Sequence, residues 1–333
     1  MINPNGGDRT ATKDFRDIVE PVLRLSGMSM DIISSEHHGH LIAATKNYDF
    51  SNTDGIVLLG GDGSYHEVFN VLMRKRQEEQ GVDINDPNAA LSPLNIPLGL
   101  IPTGSRSQWS VLHTGSQDVL TATLHIVKGK TVASNLMALY NNGKLLGLGC
   151  AVLGYGFITS VILRSDRNFR WLGRSRYRLV AKWMLLFESL TQYIYDAKVT
   201  FYSLIYNQTF WSMQAYNGNT IFDGRILFDA FRMFVPKPTM FSSFVVYGTI
   251  PLESVRKFFK HLLERKDLDQ FANEVDVLHA RGLKLELTGN PDDAEPDLSM
   301  GRRKMMFDGE IYDLETPTFE LWYTLNIWIL KPM

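Results

Sequence analysis

The chain has a single cysteine, Cys150, among 333 residues. No disulfide can form within it and no cysteine-based zinc site can be assembled, which fits a reducing compartment. Neither charge is in excess: 34 Lys and Arg stand against 36 Asp and Glu, a net of −2. That balance argues against a generally basic surface, so no nucleic-acid partner is expected. Residues Met1 to Gly7 carry neither a basic start nor an apolar run, and no signal peptide is expected. The one uncharged stretch near bilayer length, Leu145 to Leu163, is broken by Gly147, Gly149, Gly154 and Gly156. It reads as strand, turn and strand rather than as a membrane span. Gly-x-Ser-x-Gly is missing, which argues against a serine hydrolase of the α/β type, and the absence of His-Glu-x-x-His removes one metal-binding pattern. The group Glu36-His37-His38-Gly39-His40 has no matching ligand cluster, and no metal is expected there.

What is present is an ordinary globular composition, 44% hydrophobic and 21% charged, at a length that suits two domains. Phe15, Ile18, Val19, Val22 and Leu23 stand at helical spacing over residues 13–25. Residues 28–34 read as a short strand and 40–46 as a helix. Gly55 to Gly61 is a continuous apolar run ending in glycines, the pattern of a strand buried on both faces of a parallel sheet. A helix follows over 64–76, a polar insertion over 77–95, a second buried strand over 96–102 and a helix over 119–128. This alternation predicts a doubly wound α/β nucleotide domain over residues 1–132. From there strand-like runs dominate: 134–140, 145–152, 198–206, 209–215, 226–234, 241–249, 283–288 and 319–329. Helical insertions are expected over 172–193 and 252–266. Residues 133–333 are therefore expected to form a β-rich sandwich or barrel, with a hinge at 130–134 and a last segment that can return to the first domain.

The most specific motif is Gly60-Gly61-Asp62-Gly63-Ser64, after a buried strand and before a helix. Glycines there let backbone approach a phosphate, and the helix start offers free N–H groups and a positive dipole end. A dinucleotide fingerprint would place glycine at position 66, where His66 stands, which counts against a dehydrogenase. Asp62 would repel phosphate unless it holds Mg²⁺ or takes a proton from an attacking hydroxyl, and either role points to phosphoryl transfer. Pro102-Thr103-Gly104-Ser105 forms a second turn of the same kind, and Asn3-Pro4-Asn5-Gly6-Gly7 a third. Asp308-Gly309-Glu310, taken alone, reads as a surface hairpin turn. Arg164 to Lys182 holds seven basic residues and one acid, a net of +6 that leaves −8 for the rest of the chain. Trp171, Tyr177 and Trp183 interleave with these charges. A solvated helix face, nucleotide phosphates and an anionic membrane surface all remain open for this segment.

Together, Asn-Pro-x-Gly-Gly, Gly-Gly-Asp-Gly-Ser-x-x-Glu (Gly60 to Glu67), Pro-x-Gly-Ser (Pro102 to Ser105) and Asp-Gly-Glu (Asp308 to Glu310) resemble the diacylglycerol-kinase-type catalytic domain of lipid kinases. Gly81 to Pro87, Thr123 to Val127, Leu153 to Phe157 and Arg170 to Tyr177 tilt the resemblance towards ceramide kinases. It implies an ATP- and Mg-dependent kinase that phosphorylates the primary hydroxyl of a membrane lipid, ceramide or diacylglycerol. It also implies a cytoplasmic, peripherally membrane-associated protein. Asp62 takes the catalytic-base position. Asn3, Gly6, Gly7, Ser35, Gly61, Gly63, Glu67, Gly104, Ser105, Arg170, Arg176, Asp308, Gly309 and Glu310 fall at nucleotide-pocket positions. Asp308 and Glu310 would also place Mg²⁺. Gly60, Gly61, Asp62, Gly63, Tyr155, Phe157 and Ser160 would meet the lipid.

Three departures from the resemblance stand out. A full apolar strand usually precedes the first motif, whereas only Met1 and Ile2 do so here, so a truncated chain is expected. Arg106 and Ser107 stand where an Asp or Asn often follows Gly-Ser. Ser160, Ile162 and Arg164 occupy a stretch where acids contact the lipid headgroup. These departures motivate a weak or inactive ceramide-kinase-like protein as the alternative, with a kinase of NAD as a third reading. Oligomeric state is not legible in the sequence.

Overall fold

The computed structural model describes residues 1–104, 107–150, 152–188, 195–202, 213–216, 219–232, 241–247, 253–254, 256–257, 260–261, 275–280, 282–287 and 304–330. Most of the helix expected over 252–266, and Ser105 of the second glycine turn, lie outside them.

The first part alternates as its apolar pattern dictates. A helical stretch runs through α1 (Ala11–Asp14), a π-helical turn (Phe15–Val19) and α2 (Glu20–Leu25), followed by α3 (His40–Asn47). Strand β1 (Ile56–Gly60) leads into α4 (Asp62–Glu79), and β2 (Leu98–Pro102) into α5 (Gln108–Thr114) and α6 (Val119–Lys128). The strands β1 and β2 pair in parallel, Ile56 beside Leu98 through Gly60 beside Pro102. Alternation along each strand sends side chains to opposite faces. Ile56, Leu58, Leu98 and Leu100 meet Leu41 of α3 and Tyr65, Val68, Phe69, Leu72 and Met73 of α4. Leu59 and Ile101 meet Val19, Leu23, Ala122 and Ile126 on the other side. Helices thus cover both faces, as a parallel sheet requires.

Residues 28–34, expected as a strand, form only a single bridge. Ile2 bridges Ser34 on one side and Leu59 on the other, both in parallel. A cavity of about 610 Å³ lies between residues 27–33, Met1 and β1.

The remaining strands are β3 (Thr131–Asn141), β4 (Lys144–Gly149), β5 (Val152–Gly156), β6 (Tyr195–Tyr202), β7 (Met213–Tyr216), β8 (Asn219–Arg232) and β9 (Phe241–Tyr247). They continue with β10 (Val275–Ala280), β11 (Gly282–Leu287), β12 (Lys304–Phe307), β13 (Glu310–Asp313) and β14 (Thr318–Leu330). Hydrogen bonds join them in the order β1-β2-β14-β11-β6-β8-β5-β12-β13. The step from β2 to β14 is one parallel pair, Leu98 with Ile329. Between β5 and β6 run α7 (Phe157–Asn168), a 3₁₀ turn (Arg170–Ser175) and α8 (Arg176–Phe187). The helix expected over 172–193 is thus interrupted at Gly173, whose φ of +55° lies in the left-handed region that glycine tolerates.

Of the expected hinge at 130–134, residues 131–134 form the start of β3. Packing does not break there either. Leu136, Ala138, Tyr140, Leu145, Leu148 and Cys150 join the same core as Tyr65, Phe69 and Trp109. Leu145 to Leu163 is β4, β5 and the start of α7, and among the described residues no helix is long and apolar enough to cross a membrane.

Candidate active site

Three chain turns converge at the end of β1. The carbonyl of Gly60 accepts the N–H groups of Thr103 (3.0 Å) and Gly104 (3.1 Å), which pins the β2 turn onto the β1 turn. A side chain at Gly104 would bring its Cβ within 2.5 Å of Gly61 Cα. Glycine is therefore required there for two backbones to touch. Asn3 donates its backbone N–H to Leu59 (2.9 Å) and its Nδ2 to Ser64 Oγ (2.6 Å), so the N-terminal turn closes over the start of α4. Gly7 in that turn has a φ of +54°. Ser35 is tied in by its N–H to Ile2 and its hydroxyl to His37, both at carbonyls. Gly61 caps α4 with no side-chain hydrogen bond, so the first-turn N–H groups and the positive end of the dipole face this enclosure.

The fourth contributor arrives from the other end of the chain. Asp308 and Gly309, with φ of +48° and +91°, make the two-residue turn between β12 and β13. Positive φ at both positions is the type I′ geometry that an Asp-Gly pair favours in a hairpin. It is a hairpin turn, as its sequence suggests, but it is not at the surface. Gly309 rests on the Gly63 N–H and Asp62 Cβ, and the Glu310 carboxylate fills the space a Cβ at Gly63 would need. Asp308 is wholly buried, and its two oxygens accept the N–H groups of Cys150 and Val152, each at 2.7 Å. Its carboxylate thereby ties the backbone between β4 and β5 to the hairpin turn.

Asp62, 9% exposed, accepts Ser107 Oγ (2.7 Å) and the N–H of Trp109 (3.2 Å) at Oδ1, and the N–H of Gln108 (2.7 Å) at Oδ2. Burial pushes its pKa up to about 7; the three donors oppose the rise and the Asp308 charge adds to it. Glu310 is also pushed up to about 7, by burial first and then by the charges of Glu67 and Asp166, with Arg170 pulling the other way. Glu67 is raised by burial as well. Carboxylate oxygens such as those of Glu310 and Glu67 are the donor type a hard cation takes. No group of three or more His, Cys, Asp or Glu able to hold a metal occurs among the described residues, so phosphate oxygens would have to complete such a site.

The basic segment reaches the same place. Arg170 is exposed, and its charge acts on Glu310. Gly173 lies against Asp8 of the N-terminal turn. Arg176, expected at the nucleotide, is instead buried, donating to Asp166 Oδ1 (2.9 Å) and the Gly173 carbonyl (2.7 Å) and stacking on Tyr177. Its guanidinium is already committed to folding the 3₁₀ turn onto α7. Tyr155 and Phe157, expected against the lipid, are core residues at 0% and 2% exposure. Tyr155, on β5, packs against Phe319 with ring centroids 5.6 Å apart, and Phe157 opens α7. Ser160 is half-buried on α7. Two residues that matter here were not expected to. Ser107 was noted only as a substitution, yet it binds Asp62, and Asp166 anchors Arg176; no local sequence signal marks either.

Residues 1–139 match the family described as the diacylglycerol kinase catalytic domain. The chain is 34% identical to human ceramide kinase over 201 residues, which cover 60% of this chain and 36% of that protein. It is 30% identical to sphingoid long-chain bases kinase 1 of Arabidopsis thaliana over 202 residues, covering 60% of this chain and 24% of the relative. It thus spans about a third or less of the length of these curated relatives. A crystal structure of a diacylglycerol kinase from Bacillus anthracis str. Sterne shares the fold, with a TM-score of 0.63 over 99% of this chain and 95% of that one at 16% identity. The four motifs gathered at the head of α4 are thus carried by a chain whose residues 1–139 are similar to the diacylglycerol kinase catalytic domain family.

Proposed function

We propose that this chain is a lipid kinase that moves the γ-phosphate of ATP to the primary hydroxyl of a membrane lipid, ceramide or diacylglycerol. The observation that carries the reading is the seating of Asp308-Gly309-Glu310 on Gly61-Asp62-Gly63. Residues some 246 positions apart, as His66 and Tyr312 are, meet where phosphate-binding backbone and a buried carboxylate already coincide.

In this reading Asn3, Gly6, Gly7, Gly61, Gly63 and Gly104 frame the nucleotide phosphates, with Ser105 in the same turn and Arg170 as the nearby cation. Magnesium, held by Glu310 and Glu67 with phosphate oxygens, would neutralise charge on the transferring group. The lipid hydroxyl gives its proton to Asp62 while its oxygen bonds to the γ-phosphorus and the bond to the β-phosphate oxygen breaks, releasing ADP. The protein would work from the cytoplasmic side as a peripheral membrane protein.

The test is transfer of labelled γ-phosphate from ATP and Mg²⁺ to ceramide, diacylglycerol, sphingosine and NAD, with Asp62→Ala as control. Labelled ceramide or diacylglycerol, lost in the variant, is expected. ATP binding without any labelled product would favour an inactive relative. Labelled NAD would overturn the lipid reading.

A further inference from the structure

We propose that the outward face of α8, extended by Trp171, is the surface on which this protein docks to an anionic lipid bilayer. The helix buries Arg176, Val180, Ala181, Met184 and Leu185. Its opposite face carries Arg178, Leu179, Lys182, Trp183, Leu186 and Phe187, all exposed. Leu186 and Phe187 are 73% and 74% exposed, and Trp171 is 78% exposed. A solvent face of a globular helix is normally polar, and large apolar groups gathered on one face mark a contact surface.

The charges identify the occupant. The exposed face of α8 holds no acid, and the basic side chains Arg178 and Lys182 alternate with the apolar ones. Arg167 and Arg170 are exposed just before it. The exposed Arg178 and Lys182, with Arg167 and Arg170 beside them, draw this face to an anionic surface, while the chain outside residues 164–182 carries −8. A second copy is disfavoured, because a two-fold contact would set the same basic face against itself. Trp and Phe beside Arg and Lys is the composition of a helix lying in a membrane interface. The face is also tied to the candidate active site: Arg176, at the start of α8, is bonded to Asp166, whose charge, with that of Arg170, acts on Glu310.

The inference rests on the reading of a bilayer lipid as substrate, but docking can be measured without ATP, which separates the two. Purified protein is sedimented with vesicles of phosphatidylcholine, with and without phosphatidylserine. Binding is expected to need phosphatidylserine and to fall about tenfold or more in Arg178→Glu with Lys182→Glu, and likewise in Leu186→Glu with Phe187→Glu. The melting temperature should be unchanged in both, since these side chains are exposed. In the unaltered chain, brominated acyl chains should quench tryptophan emission, and Trp183→Phe should reduce that quenching. Transfer to a short-chain soluble lipid should persist in the Leu186/Phe187 variant while transfer to vesicle lipid falls. Equal binding by all variants, or none by the unaltered chain, would overturn the proposal. A dimer abolished by Leu186→Glu with Phe187→Glu would assign the face to a second copy instead.

Discussion

Ser107 donates its hydroxyl to Asp62 at 2.7 Å and at the same time accepts the N–H of Ser110 at 3.0 Å, so its proton has one direction to point. Counting acceptor sites then distinguishes the two oxygens of Asp62. Among the described residues, Oδ1 takes two donors, Ser107 and Trp109, while Oδ2 takes Gln108 alone and keeps a lone pair. In the proposed reaction Oδ2 would receive the substrate proton.

Asp62→Asn should lower kcat by about 10²- to 10⁴-fold, the usual loss on removing a general base. Ser107→Ala should lower kcat by about tenfold with little change in KM for ATP, since it frees the carboxylate to rotate without removing it. Ser107→Thr, which keeps the hydroxyl, should restore most of the rate. Steady-state kinetics of the three variants check this.

The base must be ionised to work. With Asp62 at about 7, kcat/KM should fall about tenfold per pH unit below neutrality. Stability should run the opposite way. The folded chain holds protons on Asp62 and Glu310 that the unfolded chain releases near 3.8 and 4.5. Between those values and about 7 the folded state binds more protons, so these groups make stability decline as pH rises, and the effect levels off above 7. Denaturant unfolding at pH 5 and pH 8, with no divalent cation, reads the sign.

Asp308 and Glu310 should separate cleanly. Asp308→Ala leaves the buried N–H groups of Cys150 and Val152 without that acceptor, a cost of about 2–4 kcal/mol that thermal melts would detect. The Mg²⁺ concentration giving half-maximal rate should be unaffected in whatever folds. Glu310→Gln should preserve or raise the melting temperature, because a costly buried charge is removed, yet shift that Mg²⁺ requirement upward.

Gly104→Ala should push the β1 and β2 turns apart, since its Cβ would meet Gly61 Cα at 2.5 Å and Gly61 N at 3.0 Å. Overpacking of this kind costs about 1–3 kcal/mol. The KM for ATP should rise more than kcat falls, which a nucleotide titration would resolve.

What could be read from the chain was local. The apolar run before Gly60 and the period of α4 are enough to place β1, the glycine turn and the doubly wound packing, because each depends on neighbours in sequence. Helix α5 was missed since its start is held by Asp62 from another turn as well as by Ser107. The same limit hid the fate of Asp308: an Asp-Gly pair announces a hairpin, but nothing near it says that the turn is packed under α4. Residues 28–34 have the composition of a strand, and of them Ser34 makes a single bridge, to Ile2.

Helix α4 is also a shared wall. Asn70 binds both the N–H (2.8 Å) and the carbonyl (2.9 Å) of Leu148, and Arg74 holds the carbonyls of Leu145 and Leu146. Cutting the gene after residue 132 would therefore not yield an autonomous nucleotide-binding half. It would strip β3 and β4 from Tyr65 and Phe69, strand the Asn70 amide, and leave two fragments that each expose the other's core. Segmental labelling or split-protein work on this chain calls for a break at the exposed residues 86–88, clear of the buried Gln77 and Leu94 on either side.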